Sequence, residues 1–255
     1  MARNKKHIND KFYTNVDAVK NLLSHIDLTQ YDLIIEPSAG DGAFSNQIPN
    51  IVALDIDPEH DSITKMDWFD YKRPDGFKRL LIIGNPPFGN QGGLALKFIK
   101  KCIDIQADTV AFILPKSFKK DSIKSKIPLN YHLTKEMDIS DDSFLLNGVP
   151  YKVPCVFQIW DKKDSNRVEV IHDIKTSLFN FVKKSEPHDL AFRRVGFYAG
   201  RIFDNTSDKS EQSHYFIKSN INIEELKSMF NNIKWEHNNT AGPRSIGKRE
   251  LISKL

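Results

Sequence analysis

The sequence predicts an α/β fold built on a mostly parallel sheet, followed by a smaller α+β region. Three observations carry this. Short runs that are apolar throughout, such as Leu80-Leu81-Ile82-Ile83, recur along residues 1–165. Amphipathic helical patterns separate them. The pattern changes near residue 165 to short strands with interleaved polar and aromatic residues. Strands without a polar face need cover on both sides, which a parallel sheet flanked by helices provides.

The elements follow in order. Val16, Val19, Leu22, Leu23 and Ile26 recur at helical spacing over 16–26. "YDLIIEP" (31–37) is a strand ending in an acid and a proline, and "DGAFSNQI" (41–48) is expected to open a short helix. "NIVALDIDP" (50–58) and "FKRLLIIGNPP" (77–87) are the next strands. "GGLALKFIKKCIDI" (92–105) is an amphipathic helix, "DTVAFILPKSF" (108–118) a fourth strand, and "VPCVFQIWDK" (153–162) a late one. Beyond 165, "DLAFRRVGFYAGRIF" (189–203) and "HYFIKS" (214–219) read as strands. "NIEELKSMFNNIKW" (222–235) reads as a helix capped by Asn222, and "NNTAGPRSIGKRE" (238–250) as a basic loop. Two domains are therefore expected, 1–165 and 166–255.

At 255 residues, 40% hydrophobic and 27% charged, the chain can bury a core. It has no run of eighteen apolar residues and no apolar segment at its N-terminus. The expectation is a protein of the cytoplasm or nucleus, neither secreted nor membrane-bound. Cys102 and Cys155 sit in apolar surroundings and read as reduced core thiols. No CxxC or HxxxH pattern is present, so no metal site is expected. The net charge of +4 falls entirely after residue 165, where 15 basic side chains face 11 acidic ones; before it, 22 face 22. A basic C-terminal part is compatible with a polyanion and equally with a solvated surface.

Ligands of parallel sheets bind at the carboxyl ends of the strands. Glu36, Asp55, Asp57 and Asn85 all fall there. Gly40 and Gly42 allow a tight turn after the first strand, without the third glycine of the dinucleotide fingerprint. Glu36 and Asp41 would repel a pyrophosphate and attract a cofactor carrying a sulfonium and an ammonium, such as S-adenosylmethionine. Asp55 suits the hydroxyls of a ribose. Asp67 suits the cofactor's adenine amine, with Trp68 or Phe69 against the ring; each acid alone also reads as a solvated loop residue.

Taken in order, "KFYT" (11–14), "EPSAGDGAF" (36–44), "LDIDP" (54–58), "MDWF" (66–69) and "NPPF" (85–88) resemble the N6-adenine methyltransferases, in their gamma arrangement. The resemblance spans roughly residues 11–162. It implies a Rossmann-like class I methyltransferase fold using S-adenosyl-L-methionine. It places Phe12, Tyr13 and Thr14 beside the cofactor, Glu36, Gly40 and Gly42 at its methionine part, Asp55 at the ribose, and Asp67 with Trp68 at the adenine. Asn85, Pro86, Pro87 and Phe88 would form the catalytic loop. The amine of adenine is a poor nucleophile because its lone pair is delocalised into the ring. Acceptance of its two protons by the Asn85 side-chain oxygen and the Pro86 carbonyl would make the nitrogen more tetrahedral, with Phe88 stacked on the base.

Phe144 or Tyr151, near the late strand, would supply a second aromatic or simply be core. Lys116 and Lys119 would meet phosphates, as would Arg193, Arg194 and Arg201 among Phe192, Phe197 and Tyr198, and Arg244, Lys248 and Arg249. The implied partner is nucleic acid, with DNA slightly favoured over RNA. The sequence leaves oligomeric state open. Two other readings stand beside this one: methylation of a protein glutamine amide, and a non-catalytic subunit that keeps the fold. Retention of Asp55, Asp67 and Asn85 together counts against the last.

Overall fold

Strand β5 (Leu80–Gly84) shows how the first part of the molecule is organised. Leu80 and Ile82 point into one apolar cluster, Leu81 and Ile83 into another on the opposite face of the sheet, and all four are fully buried. The structure, a computed structural model, describes residues 13–140, 142–146, 149–150, 152–168, 175–235 and 244–255. It divides into two compact units, 1–169 and 170–255.

In chain order the first unit holds β1 (Tyr13–Thr14), α1 (Val16–Leu23), β2 (Leu33–Glu36), β3 (Val52–Asp55), β4 (Thr64–Lys65) and β5 (Leu80–Gly84). Then come α2 (Gly93–Asp104), β6 (Thr109–Pro115), α3 (Asp121–Lys124), β7 (Tyr131–Asp138), β8 (Phe144–Leu146), β9 (Val149–Pro150) and β10 (Cys155–Lys162). Seven strands form one sheet in the order β4-β3-β2-β5-β6-β10-β7. The first five are parallel, and β10 runs antiparallel to both of its neighbours. α2 contributes Ala95, Phe98, Ile99 and Cys102 to one face, and α1 contributes Val19 and Leu22 to the other. β6 divides as β5 does: Val110, Phe112 and Leu114 on the α2 side, Ala111 and Ile113 on the α1 side. Each such aliphatic side chain, fully withdrawn from water, contributes about 1.5–3 kcal/mol.

Local chemistry sets the ends. The Asn15 side chain accepts from Ala18 N–H (2.7 Å) and caps α1. Asp108 Oδ2 accepts from Leu80 N–H (2.8 Å) at the start of β5, and Thr109 donates to Asp161 Oδ1 (2.6 Å) across β6 and β10. These bonds pin the amino ends of the strands, away from the edge where Glu36, Asp55 and Gly84 lie.

Two expectations for this unit are corrected. "DGAFSNQI" forms only a 3₁₀ turn at Ser45–Gln47, because two glycines at positive φ precede it and Pro49 follows. β7 was not foreseen. It is an edge strand bonded to β10 alone, and its exposed charges hide the apolar pattern of its inner positions.

The second unit is an antiparallel sheet in the order β11-β14-β12-β13, from β11 (Phe179–Val182), β12 (Leu190–Arg193), β13 (Ile202–Phe203) and β14 (His214–Ser219). Its helices are α4 (Ile223–Asn232) and α5 (Lys248–Ile252). Asn222 caps α4, accepting from Glu224 and Glu225 N–H (2.9 and 3.3 Å). Leu226 and Phe230 of α4 and Leu251 of α5 pack with Phe179, Leu190, Phe192 and Ile217. α5 lies partly within the stretch read as a loop: its first three residues belong to the basic run, and Leu251 is its one fully buried anchor. Among the described residues no helix is long and apolar enough to cross a membrane.

The two-sided burial of the sheet makes a direct prediction. Phe112→Ala, at the centre of β6, should destabilise the first unit by about 3–5 kcal/mol in urea unfolding. Val168→Ala, at an exposed position of the same unit, should change it by less than about 0.5 kcal/mol. A loss below about 1 kcal/mol for Phe112→Ala would contradict the packing described.

Candidate functional site

The carboxyl ends of β2, β3 and β5 open into a cavity of about 280 Å³. β2 ends at Glu36, β3 at Asp55, and β5 at Gly84, immediately before Asn85. The rim is tied together through Asp55. Its Oδ2 accepts from Gly40 N–H and its Oδ1 from Asp57 N–H, both at 2.8 Å. One carboxylate thus fixes the glycine loop after β2 and the turn after β3. A carboxylate offers about four lone-pair positions, so the two bonds leave acceptor capacity toward the cavity.

Gly42 in that loop has φ +85°, and a Cβ there would meet the Asn46 side chain at 2.9 Å. A left-handed residue with no side chain is required. Glu36 closes the loop from below: Ser45 N–H donates to its Oε2 (2.8 Å). Its carboxyl is almost wholly buried, and burial pushes its pKa up to about 8 against the restraining bonds from Ser45 and Phe44. Glu36 is therefore protonated at neutral pH. Burial thus favours the neutral form of Glu36, whereas the sequence reading has its charge attract a cationic cofactor. Asp41, Asp55 and Asp57 carry the acidic character of the cavity instead. Burial also raises the pKa of Asp41, helped by the nearby Glu59.

Asn85, Pro86, Pro87 and Phe88 line the opposite wall. The Asn85 amide nitrogen donates to Thr14 Oγ1 (3.4 Å), which orients the amide with its oxygen as the acceptor end. The Phe88 carbonyl accepts from Leu94 and Ala95 N–H (3.1 and 3.3 Å), so the loop is anchored on the first turn of α2. Gly89 has φ +64°, and a Cβ there would stand 2.7 Å from Leu94 Cβ. This contact fixes the path by which the chain leaves the prolines. Phe88 packs against both core clusters with its ring partly exposed.

β1 and β8, paired in a small separate sheet with β9, add a further wall to the cavity. Thr14 pairs with Phe144 across β1 and β8, and Tyr13 Oη donates to Glu59 Oε1 (2.6 Å). Tyr13, Thr14 and Phe144 all line the cavity. Phe144 is 0% exposed and belongs to the α1-side core, so it backs the wall and offers no face to a base. That corrects its assignment as a substrate aromatic.

The structure thus brings Tyr13, Thr14, Glu36, Gly40, Asp55 and Asn85 through Phe88 around one cavity, with Gly42 in the loop beside it. Several expected residues lie elsewhere. Trp68 is 1% exposed and stacks with Tyr71 and Phe98 in the α2-side core, so it presents no ring to a cofactor. Asp67 lines no part of the cavity: its Oδ1 accepts from Phe69 N–H (2.9 Å) and caps the turn at Trp68–Asp70. Lys116 is ion-paired with Asp138 (3.5 Å), as is Lys119 (3.2 Å). Arg193 donates to Val195 O and Ser213 Oγ, and Arg194 donates to Gln212 O. Both guanidiniums brace the second unit, each giving two of its five N–H donors to groups within it. Phe12 and Tyr151 lie outside the described residues.

Sequence reasoning missed Ile56 and passed over Asp57. Both line the cavity, and Ile56 is 60% exposed. The signal was an aliphatic residue between two acids just past the end of a strand, where no core remains to receive it. Among the described residues no group of His, Cys, Asp and Glu could hold a metal.

No known family's profile matches the chain. Among solved structures it is similar to PH1948 of Pyrococcus horikoshii, described as an RNA methyltransferase (TM-score 0.47, 16% identity, 63% of this chain and 91% of that one). It is also similar to the 23S rRNA methyltransferase ErmE (0.46, 13%, 62% and 72%). A third likeness is to a type I restriction enzyme modification subunit from Vibrio vulnificus YJ016 (0.44, 15%, 95% of this chain and 57% of that one). The fold rests on the topology itself. Renumbered along the sheet's own strands, the order is 3-2-1-4-5-7-6 with only the seventh reversed. That is the Rossmann-like, class I methyltransferase fold.

The buried Glu36 predicts a pH dependence. Its folded pKa, about 8, lies above the ordinary 4.5, so the folded state keeps a proton that the unfolded chain releases. Stability should therefore fall as pH rises from about 4.5 to about 8. Glu36→Gln, which keeps the shape without the titration, should flatten that decline in thermal unfolding. An equally steep decline in the variant would contradict the assignment.

Proposed function

We propose that the first unit is an S-adenosyl-L-methionine-dependent methyltransferase acting on the N6 amine of adenine in nucleic acid, with DNA slightly favoured over RNA. One observation carries this reading: Asn85-Pro86-Pro87-Phe88 faces the same cavity as the acid-lined glycine loop.

The residues present fit the cofactor. Four acids line the cavity and no Lys, Arg or His does. A pyrophosphate would find no cation there, whereas a sulfonium and an ammonium meet the field of Asp41, Asp55 and Asp57. When bound, S-adenosylmethionine supplies an electrophilic methyl group. On this reading the loop from Gly40 to Gly42 holds its methionine part, Asp55 with Asp57 its ribose, and Ile56 the apolar face of its adenine.

Asn85 and Pro86 do the work on the substrate amine. The Asn85 oxygen accepts one of its protons and the Pro86 carbonyl the other, drawing the nitrogen's lone pair out of the ring system. As the nitrogen–carbon bond forms, the methyl–sulfur bond breaks and the nitrogen's surplus proton passes to solvent, so neither Asn85 nor Pro86 changes its charge and catalysis rests on fixed dipoles and position. Proline holds its φ and has no N–H to compete for the acceptors. Phe88 offers the partly exposed ring on which an extruded base stacks, and stacking offsets part of the few kcal/mol needed to unstack it.

The test is methyl transfer from labelled cofactor to duplex DNA, single-stranded DNA and structured RNA, with products identified as nucleosides by mass. N6-methyladenine is expected in one substrate class. Asn85→Ala should lower turnover on the order of 10²-fold or more, with cofactor affinity within about twofold of the parent. Methylation of a glutamine amide instead, or turnover unchanged in Asn85→Ala, would overturn the reading.

A further inference from the structure

The second unit carries its own groove, of about 570 Å³. Its rim is built from two aromatic–arginine pairs. The Arg201 guanidinium lies over the Tyr198 ring at 4.5 Å, and the Arg244 guanidinium over Phe197 at 5.6 Å. Phe197 is 75% exposed and Tyr198 50%, and the two rings meet edge to face at 5.1 Å. Solvent-facing aromatic rings side by side are unusual unless something covers them.

The floor is Trp235, half-buried, with its inner edge against Phe192 (5.6 Å) and against Gly200. A Cβ at Gly200, which has φ +101°, would stand 2.4 Å from the indole. The indole thus rests directly on backbone. Among the described residues the groove lining holds two arginines and no acid. Unlike Arg193 and Arg194, Arg201 makes no side-chain hydrogen bond or ion pair among the described residues, so its donors point to solvent.

We infer that this groove binds an unpaired stretch of nucleic acid, its bases stacking on Phe197, Tyr198 and Trp235 and its phosphates meeting Arg201 and Arg244. The charge decides the occupant. A surface of exposed rings whose charged residues, among those described, are all arginines suits a polyanion that carries planar bases. A proline-rich peptide would use the rings and leave both arginines without a role. Paired bases within a duplex do not expose their faces, so the groove selects single-stranded segments. The inference rests on the proposed function for the identity of the nucleic-acid substrate, and it narrows that substrate to one with an unpaired region.

The experiment is fluorescence anisotropy on the full chain without cofactor, using one labelled oligonucleotide as a single strand and as a duplex, with a proline-rich peptide as competitor. The single strand should bind about tenfold tighter than the duplex. Phe197→Ala and Arg201→Ala, both at exposed positions, should each weaken it about tenfold, while cofactor-induced thermal stabilisation stays the same. Trp68 and Trp160 are buried, so single-strand binding should quench emission assigned to Trp235, and Trp235→Phe should remove that signal. Equal affinity for duplex and single strand, variants within twofold of the parent, or displacement by the peptide would overturn the inference. Loss of single-strand binding in the variants with no methyladenine formed on any substrate would uphold the groove and overturn the methylation reading. Methyladenine formation by a protein whose groove variants bind normally would do the reverse.

Discussion

The Asp55 carboxylate holds the candidate site in shape. Its two oxygens take the amides of Gly40 and Asp57, so the loop after β2 and the turn after β3 move as one piece. The parallel sheet makes this possible by ending adjacent strands at the same edge, and it makes it necessary because amides leaving a strand end need acceptors. Gly84 completes the arrangement: it has φ +148°, and a Cβ there would meet Glu36 Cγ at 3.3 Å. The bare backbone at that position leaves room for the buried Glu36 side chain, and Asn85 follows it at the cavity wall.

Charge is handled differently on the two sides of the cavity. Glu36 is buried deeply enough to be neutral, and its contribution is architectural. Asp41, Asp55 and Asp57 remain to set the potential, with no base in the lining to cancel it. The wall from Asn85 to Phe88 has no ionisable side chain, so it acts through acceptors and a ring. On the proposed reading, the acidic half favours a cationic cofactor and the neutral half favours an amine substrate.

The core strands were legible because two-sided burial leaves no room for polar residues. β2, β3, β5 and β6 are each apolar over nearly their full length, and β10 is apolar at five of its first six residues. β7 was illegible for the opposite reason, since an edge strand exposes charges along one side. At the site, sequence order located the strand ends but gave no depth. Trp68 follows an acid in a plausible loop, yet its ring turns inward to Tyr71 and Phe98. Nor does counting arginines show what each guanidinium bonds. Arg193 and Arg194 are taken up by carbonyls and a hydroxyl, while Arg201 lies over Tyr198. Ile56 was missed because an isolated aliphatic residue past a strand end has no periodicity to mark it.

On the proposed reading, the acid-lined cavity selects a cationic cofactor over a pyrophosphate one. The most direct measurement is calorimetric titration of the full chain with S-adenosylmethionine and, separately, with a nicotinamide dinucleotide, repeated on Asp55→Ala. The account predicts saturable binding of one equivalent of S-adenosylmethionine, loss of that binding in Asp55→Ala, and no heat from the dinucleotide. Binding of the dinucleotide in preference, or undiminished S-adenosylmethionine binding by Asp55→Ala, would contradict it.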